Sequence, residues 1–96
     1  MNRTFIFHAD PGHGWLAVDM EAIKAIGMTL KDFSRYSYRR DSAIYLEEDC
    51  DAPKFIDGWK KAGHAFVIQT INYKNDCFIR RLRCLHSIRF SSGEVA

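Results

Sequence analysis

Three side chains with metal-binding or acid–base chemistry lie close together near the N-terminus, in the pattern His8-x-Asp10-x-x-His13. Two imidazoles and a carboxylate can bind a transition metal or transfer protons. Pro11 and Gly12 indicate a tight turn, so the three groups flank a bend and do not share one helix face. The pattern therefore favours a hairpin whose histidines hydrogen-bond to nearby groups, and we predict no metal here.

The cysteines offer a second potential reactive centre. Cys50, Cys77 and Cys84 could join His86 in a zinc site, but the chain lacks the closely spaced Cys pairs of structural zinc sites. An odd number of cysteines without framework spacing indicates a reducing, cytoplasmic location. The chain also lacks a phosphate-binding glycine loop and a Gly-x-Ser-x-Gly motif. We therefore predict that the protein is not an enzyme and uses no cofactor.

A run of carboxylates, EEDCD at residues 47–51, precedes the strongest predicted helix. A helix N-terminus favours one or two negative charges, and here four are present. The surplus could attract a basic partner, with nearby aromatic and imidazole side chains as anchors. The predicted partner-binding residues are Glu47, Glu48, Asp49, Asp51, His13, Trp15, Tyr36 and Tyr38. The alternative is a solvated helix entry that binds no partner.

Arginines in the C-terminal part of the chain provide an alternative binding surface. The predicted nucleic-acid contacts are Arg80, Arg81, Arg83 and Arg89. Arg35, Arg39 and Arg40 flank Tyr36 and Tyr38, whose rings could stack on bases or pack within a sheet. The sequence pI of about 8.5 is lower than that of a strongly basic nucleic-acid-binding domain.

Hydrophobic periodicity and turn signals predict the elements that position these groups. Strands are predicted at residues 4–8, 15–18, 35–39, 43–47 and 64–73. One helix follows Asp19, and a second is capped by Asp49 or Asp51. Thr29 and Asp32 have the spacing of a capping box. The order β-β-α-β-β-α-β predicts an α+β fold, a mainly antiparallel sheet with two helices on one face.

The remaining segments complete a single predicted domain over residues 1–90. Residues 77–85 fit a short irregular or helical segment at the sheet edge, and residues 91–96 a frayed tail. Hydrophobic residues make up 47% of the 96 and charged residues 27%, which is typical of a globular protein. No apolar run is long enough to span a bilayer, and the N-terminus lacks the features of a signal peptide.

Charge is distributed unevenly along the chain. Residues 1–51 carry six Lys/Arg against nine Asp/Glu, whereas residues 52–96 carry eight against three. The overall net charge of +2 therefore conceals an acidic half and a basic half. This polarity favours binding to a charged partner without indicating which half makes the contact.

Three stretches support a resemblance: residues 8–18 (HADPGHGWLAV), 36–39 (YSYR) and 45–52 (YLEEDCDA). In this order and spacing, across residues 4–83, the chain resembles a group of small uncharacterised proteins from phages, prophages and other bacterial mobile elements. The group has no enzymatic assignment, so no catalytic residues carry over. The resemblance implies an anti-defence role, such as that of an anti-CRISPR protein, by analogy of genomic context.

Together these observations predict a non-catalytic accessory protein that binds and inhibits a host macromolecular complex. The partner would be a host protein or nucleoprotein complex, such as a CRISPR effector, and the protein would act in the host cytoplasm as a monomer or homodimer. The alternative is a small nucleic-acid-binding module that uses the C-terminal arginines. A metal-dependent enzyme is a third alternative, which the lack of a complete motif disfavours.

Overall fold

The computed structural model of the chain describes residues 2–86, which contain six strands, two α-helices and two 3-10 helices. The strands are β1 (Asn2–Ala9), β2 (Gly14–Asp19), β3 (Tyr38–Arg40), β4 (Ala43–Glu47), β5 (Ala65–Asn72) and β6 (Arg83–Cys84). The helices are α1 (Met20–Ala25), α2 (Asp51–Lys61) and the 3-10 helices Leu30–Asp32 and Phe78–Arg81. The predicted α+β class is confirmed, and the predicted element order is matched as far as β5, after which a 3-10 helix and β6 follow. The predicted tail and the domain end at residue 90 lie outside the described residues.

The strands form one sheet in the order β5-β1-β2-β4-β3-β6. Four of the neighbouring pairs are antiparallel, in agreement with the prediction. β1 and β5 run parallel, from Asn2 opposite Ala65 to Ala9 opposite Asn72. A parallel pair needs a long crossover connection, and here β2, both α-helices and the β3–β4 hairpin lie between the two strands. The sheet is therefore mixed, a feature that the prediction missed.

Both α-helices pack on one face of the sheet, as predicted. Side chains that alternate along the strands, including Phe5, Leu16 and Leu46, are buried on this face with Phe55 and Trp59 of α2. The Phe5 ring meets the rings of Phe55 and Trp59 edge-on, with centroids 5.3 and 5.2 Å away. Neither α-helix within residues 2–86 has the length and apolar character needed to cross a bilayer.

The opposite face of the sheet is covered by the chain segment that leads from β5 to β6. Trp15 and Tyr45 of the sheet form a second core cluster with Cys77 and Ile79 of this segment. The ring of Phe78 meets Tyr45 edge-on at 5.7 Å. The irregular or helical segment predicted for residues 77–85 is therefore a 3-10 helix that lies over a sheet face, followed by a short edge strand.

Local capping signals account for where the first helices begin. The Asp19 carboxylate accepts a hydrogen bond from the backbone N–H of Ala22 at 2.8 Å, and caps α1 as predicted. The capping box of Thr29 and Asp32 is also present, although it opens only one 3-10 turn. Gly27 has a φ of 75° just beyond α1, a conformation that favours glycine.

Candidate nucleic-acid interface

The three metal or acid–base candidates of the N-terminal turn are directed to separate places. His8 Nδ1 hydrogen-bonds to the hydroxyl of Tyr73 at 2.9 Å, and burial lowers the pKa of His8. Asp10 binds Arg80, with Oδ2 2.6 Å from Nε. His13 lies beside the carboxylates of residues 47–51, which we call the acidic loop. The three side chains therefore do not converge on a common point.

Asp10 anchors the segment that leads to β6. Its carboxylate accepts hydrogen bonds from the backbone N–H groups of Gly12, His13 and Cys77, and from two nitrogens of Arg80. The Arg80 guanidinium and the backbone donors hold the pKa of Asp10 well below its usual range, and Asp10 raises the pKa of Arg80. The guanidinium of Arg80 is therefore engaged by a buried carboxylate, and the prediction of Arg80 as a nucleic-acid contact stays a prediction.

The cysteines do not assemble into a site either. Cys77 is buried, whereas Cys50 and Cys84 are exposed on different elements, and all three are free thiols. His86, the proposed fourth zinc ligand, lies with Nε2 2.7 Å from the carbonyl oxygen of Phe33. These side chains therefore lie in separate surroundings.

Glu47 is buried and caps helix α2, which corrects its prediction as a partner-binding residue. Its Oε1 accepts hydrogen bonds from the N–H groups of Cys50 and Asp51, and its Oε2 accepts one from Asp49. Burial alone would raise the pKa of Glu47, but these donors and nearby His13 shift it below the ordinary value. The first turn of a helix has unpaired N–H groups, and Glu47 accepts from that of Asp51. The N-cap position is held by Cys50, so the predicted cap by Asp49 or Asp51 is wrong.

Asp51 is also buried, and its prediction as a partner-binding residue is likewise corrected. Its Oδ2 accepts hydrogen bonds from the backbone N–H and hydroxyl of Ser34 and from the hydroxyl of Ser37. The hydroxyl of Ser37 accepts a bond from the N–H of Glu47 at 3.0 Å. This network holds residues 34–37 against the start of α2, which explains why β3 begins later than predicted.

The exposed remainder of the acidic loop consists of Glu48 and Asp49, and it lies next to His13. Ligand atoms of His13, Glu47 and Asp49 lie within 4.8 Å of one another, a spacing that can suit a metal ion. However, both oxygens of Glu47 already accept backbone hydrogen bonds, and the positive end of the α2 dipole disfavours a cation. We therefore assign no metal to this cluster.

The predicted aromatic anchors differ in exposure. Trp15 is buried, and Tyr38 packs against it with ring centroids 6.2 Å apart, so the prediction of Trp15 as a surface contact is wrong. Tyr36 is 64% exposed, and the Arg35 guanidinium lies 5.6 Å from its ring centroid. A depression of about 290 Å³ next to Tyr36 is lined by His13, Tyr36, Glu47, Asp49 and Cys50.

Pairing of β3 with β6 brings together arginines that are distant in the sequence. Arg39 lies directly opposite Arg83 in this antiparallel pair. The surrounding residues form a shallow cleft of about 680 Å³, lined by Arg39, Arg40, Asp41, Arg81, Leu82, Arg83 and Leu85. Four guanidinium groups and one carboxylate give these residues a net charge of +3. We call this surface the arginine cleft.

The four arginines of the cleft have no carboxylate oxygen within 4 Å in the described part of the chain. Arg39 makes only a long 3.5 Å contact with the carbonyl oxygen of Asp41, and the Arg40 guanidinium lies 5.3 Å from the centroid of the Phe78 ring. Like charges directly opposite each other destabilise an antiparallel pair. The placement of Arg39 across from Arg83 is therefore unfavourable for the fold alone, and a bound anion would relieve it.

The arginine cleft contains only part of the predicted nucleic-acid surface. Arg81 and Arg83 line it, Arg80 does not, and Arg89 lies outside the described residues. Arg39 and Arg40 were expected to act only as neighbours of stacking tyrosines, and neither tyrosine lines the cleft. The sequence carries no signal that Arg39 and Arg40 lie beside Arg81 and Arg83. The strand that brings them together, β6, has two residues and shows no periodicity.

Comparison of the chain with protein-family models, curated proteins and solved structures gives no match. The resemblance to phage and mobile-element proteins therefore stays a prediction. The functional inference rests on the arrangement of side chains described above.

Proposed function

We propose that the protein binds the phosphate backbone of a nucleic acid in the arginine cleft. The single observation that supports this function best is Arg39 placed opposite Arg83, without carboxylate partners among residues 2–86, in a cleft of net charge +3. Guanidinium groups stay charged at every physiological pH and can donate two parallel hydrogen bonds to one phosphate. Arg40 and Arg81 extend the surface, so that more than one phosphate can be contacted at once.

The lining of the cleft favours backbone contacts over the recognition of bases. Among the lining residues that the structure describes, the apolar ones are Leu82 and Leu85, and none carries an aromatic ring. Sequence-tolerant stacking, which many single-strand-binding proteins use, needs such rings. We therefore expect an affinity that depends on charge and salt and varies little with nucleotide sequence.

The test is a titration of fluorescently labelled oligonucleotides, single-stranded and duplex, at two salt concentrations. If all four arginines contact phosphates of a duplex, affinity should fall about 100-fold between roughly 50 and 200 mM salt. The double variant Arg81→Gln/Arg83→Gln should bind about tenfold more weakly at the lower salt concentration. Its slope of log affinity against log salt should be shallower by about 2.

The matched control is Lys60→Gln/Lys61→Gln, which removes the same charge from the exposed end of α2. This variant should bind nearly as the wild type does. An equal loss of affinity in the control would contradict the cleft assignment, because it would reflect net charge alone. Polyglutamate that competed as well as an oligonucleotide of equal charge would point to an acidic protein and overturn the proposed ligand.

A second candidate function is the binding and inhibition of a host protein complex through the acidic loop. It is supported by two exposed carboxylates, Glu48 and Asp49, of which Asp49 lines the depression beside the exposed ring of Tyr36. A basic protein surface would suit these groups, with Tyr36 as an anchor. This second proposal includes a phage or mobile-element origin, an anti-CRISPR role, non-catalytic action and a location in the bacterial cytoplasm. These parts of the proposal derive from the resemblance and from the sequence.

Charge reversal tests the second candidate. Glu48→Lys/Asp49→Lys should lose host proteins that the wild type retains from a bacterial lysate. Glu21→Lys/Asp57→Lys, which reverses two exposed charges on α1 and α2, should retain them. If the two variants retain identical proteins, the acidic loop is not the binding surface.

A further inference from the structure

The edge of the sheet formed by β5 has no strand beside it in the described part of the chain. β5 is hydrogen-bonded to β1 on one side, and it is the last strand in the sheet order. Its other side presents the backbone N–H and C=O groups of an eight-residue strand, about 26 Å long. Such an edge can accept a further strand.

The composition of β5 lacks the devices that usually prevent edge-to-edge pairing. Its sequence, AFVIQTIN, contains no charged residue, proline or glycine. Three apolar side chains are unusually exposed: Val67 at 58%, Ile71 at 44% and Ile68 at 42%. Lysine, proline or a bulge at such an edge would keep other strands away, and none interrupts β5.

We propose that β5 pairs antiparallel with β5 of a second copy of the chain and makes a two-fold symmetric dimer. Opposite residues in an antiparallel pair share one face of the sheet. A two-fold axis through Gln69 satisfies this condition and places Val67 opposite Ile71 of the second copy, twice. On the face that carries the helices, the same register places Ile68 opposite Thr70.

Self-complementarity is the reason for choosing a second copy as the occupant. The register about Gln69 matches exposed Val67 with exposed Ile71 and brings no like charges together. Closed two-fold dimers are the commonest oligomers of soluble proteins. The dimer does not rest on the proposed nucleic-acid binding, because the arginine cleft lies at the other edge of the sheet.

The C-terminal segment of the same chain is a less suitable occupant. The described chain ends at His86, just after β6, and β6 lies five strand spacings away from β5. That distance is about 24 Å, which takes about seven extended residues to cross. Crossing this distance would use about seven of residues 87–96, so few of them could pair with an eight-residue strand.

Sedimentation equilibrium of the full chain, with a reductant that prevents disulfides at exposed Cys50 and Cys84, tests the dimer. The apparent mass should rise from the 11.1 kDa of one chain toward twice that value as concentration increases from about 5 to 200 µM, a range that suits a small interface. Gln69→Lys and Gln69→Glu should each weaken dimerisation at least about tenfold, since each places like charges opposite each other at the axis.

A one-to-one mixture of the two variants should restore the dimer, because the mixed pair places opposite charges together. Thr4→Lys is the matched control: Thr4 lies on the same sheet face within β1, opposite Val67, and away from the free edge. It should dimerise as the wild type does. A protein that stays monomeric throughout the range, or a dimer that Gln69→Lys leaves unchanged, would overturn the proposal.

Amide hydrogen exchange provides a measurement that needs no variant. Amides of residues 65–72 should exchange more slowly at high than at low protein concentration, because the second copy would protect the outward N–H groups of β5. Amides of β6 provide the internal comparison and should show no such dependence on concentration. Equal rates for β5 at both concentrations would also overturn the dimer.

Discussion

The two edges of this sheet differ in length, in charge and in how the chain holds them. β5 has eight uncharged residues and pairs along its whole length with β1. β6 has two residues, pairs within residues 2–86 only with β3, and lies among the four arginines of the arginine cleft. Native proteins protect edges with short strands and cationic side chains. The β6 edge shows both features and the β5 edge shows neither, so one edge suits an anion and the other suits a strand.

Stability is also distributed differently between the two edges. β5 is held by continuous backbone hydrogen bonds to β1 and by the indole N–H of Trp59, which donates to the carbonyl oxygen of Ala65 at 3.0 Å. β6 has two paired positions, and the segment before it is held by the contacts of Asp10 with Cys77 and Arg80. The arginine edge therefore depends on one buried carboxylate, whereas the β5 edge depends on a ladder.

Removal of that carboxylate should give the largest effect. Asp10→Asn keeps the shape of the side chain but loses the charge and the paired hydrogen bonds to Arg80. We expect the melting temperature to fall by about 10 °C, because a buried carboxylate that accepts several hydrogen bonds would become an amide that can accept only some of them. Amide exchange should accelerate in residues 77–84 and not in β5, and oligonucleotide affinity should fall with it.

The pH dependence of this effect follows from the depressed pKa of Asp10. A carboxylate whose pKa is lower in the folded protein stabilises the fold fully above the pKa of the unfolded chain, 3.8. The difference in stability between wild type and Asp10→Asn should therefore be constant near neutral pH and shrink below about pH 4. Asp76→Asn, a control at an exposed carboxylate 3.9 Å from Arg80, should change the melting temperature by no more than about 2 °C. A difference that grew on acidification would contradict the anchoring role.

Elements that depend on neighbouring residues were predictable from the sequence. The two hairpins, the helix that follows Asp19 and the capping box of Thr29 were predicted correctly, because their signals act over a few residues. The parallel pairing of β1 with β5 was not, since it joins strands more than fifty residues apart and leaves no local signature. The edge that β5 forms within residues 2–86, on which the proposed dimer depends, follows from that pairing.

For the candidate site, the sequence could predict which residue types take part but not which of them lie close together. The excess of carboxylates over capping needs was correctly noted, but sequence could not show that Glu47 and Asp51 are the two used inside the fold. Glu47 reaches the helix from the end of β4, outside the usual capping positions. Arg39 and Arg83 meet only because β3 pairs with β6, a contact between positions 44 residues apart.

The smallest expected effect has the opposite sign and separates stability from binding. Arg83→Thr removes one of two like charges that face each other across β3 and β6, and threonine favours strands. We expect the melting temperature to rise by about 1–2 °C while oligonucleotide affinity falls several-fold. Thermal unfolding and the oligonucleotide titration measure the two changes on the same sample.

Arg81→Thr is the comparison that makes this result specific to the cross-strand pair. Arg81 lines the cleft but lies in a 3-10 helix, with no arginine opposite it in a ladder. Its replacement should weaken oligonucleotide binding to a similar extent without raising the melting temperature. If Arg83→Thr instead lowers the melting temperature, the Arg39–Arg83 pair stabilises the fold, and the main reason for assigning an anion to this edge is lost. A gain in stability with a loss of affinity would show that the arginines at this edge serve to bind a ligand and that they lower the stability of the sheet.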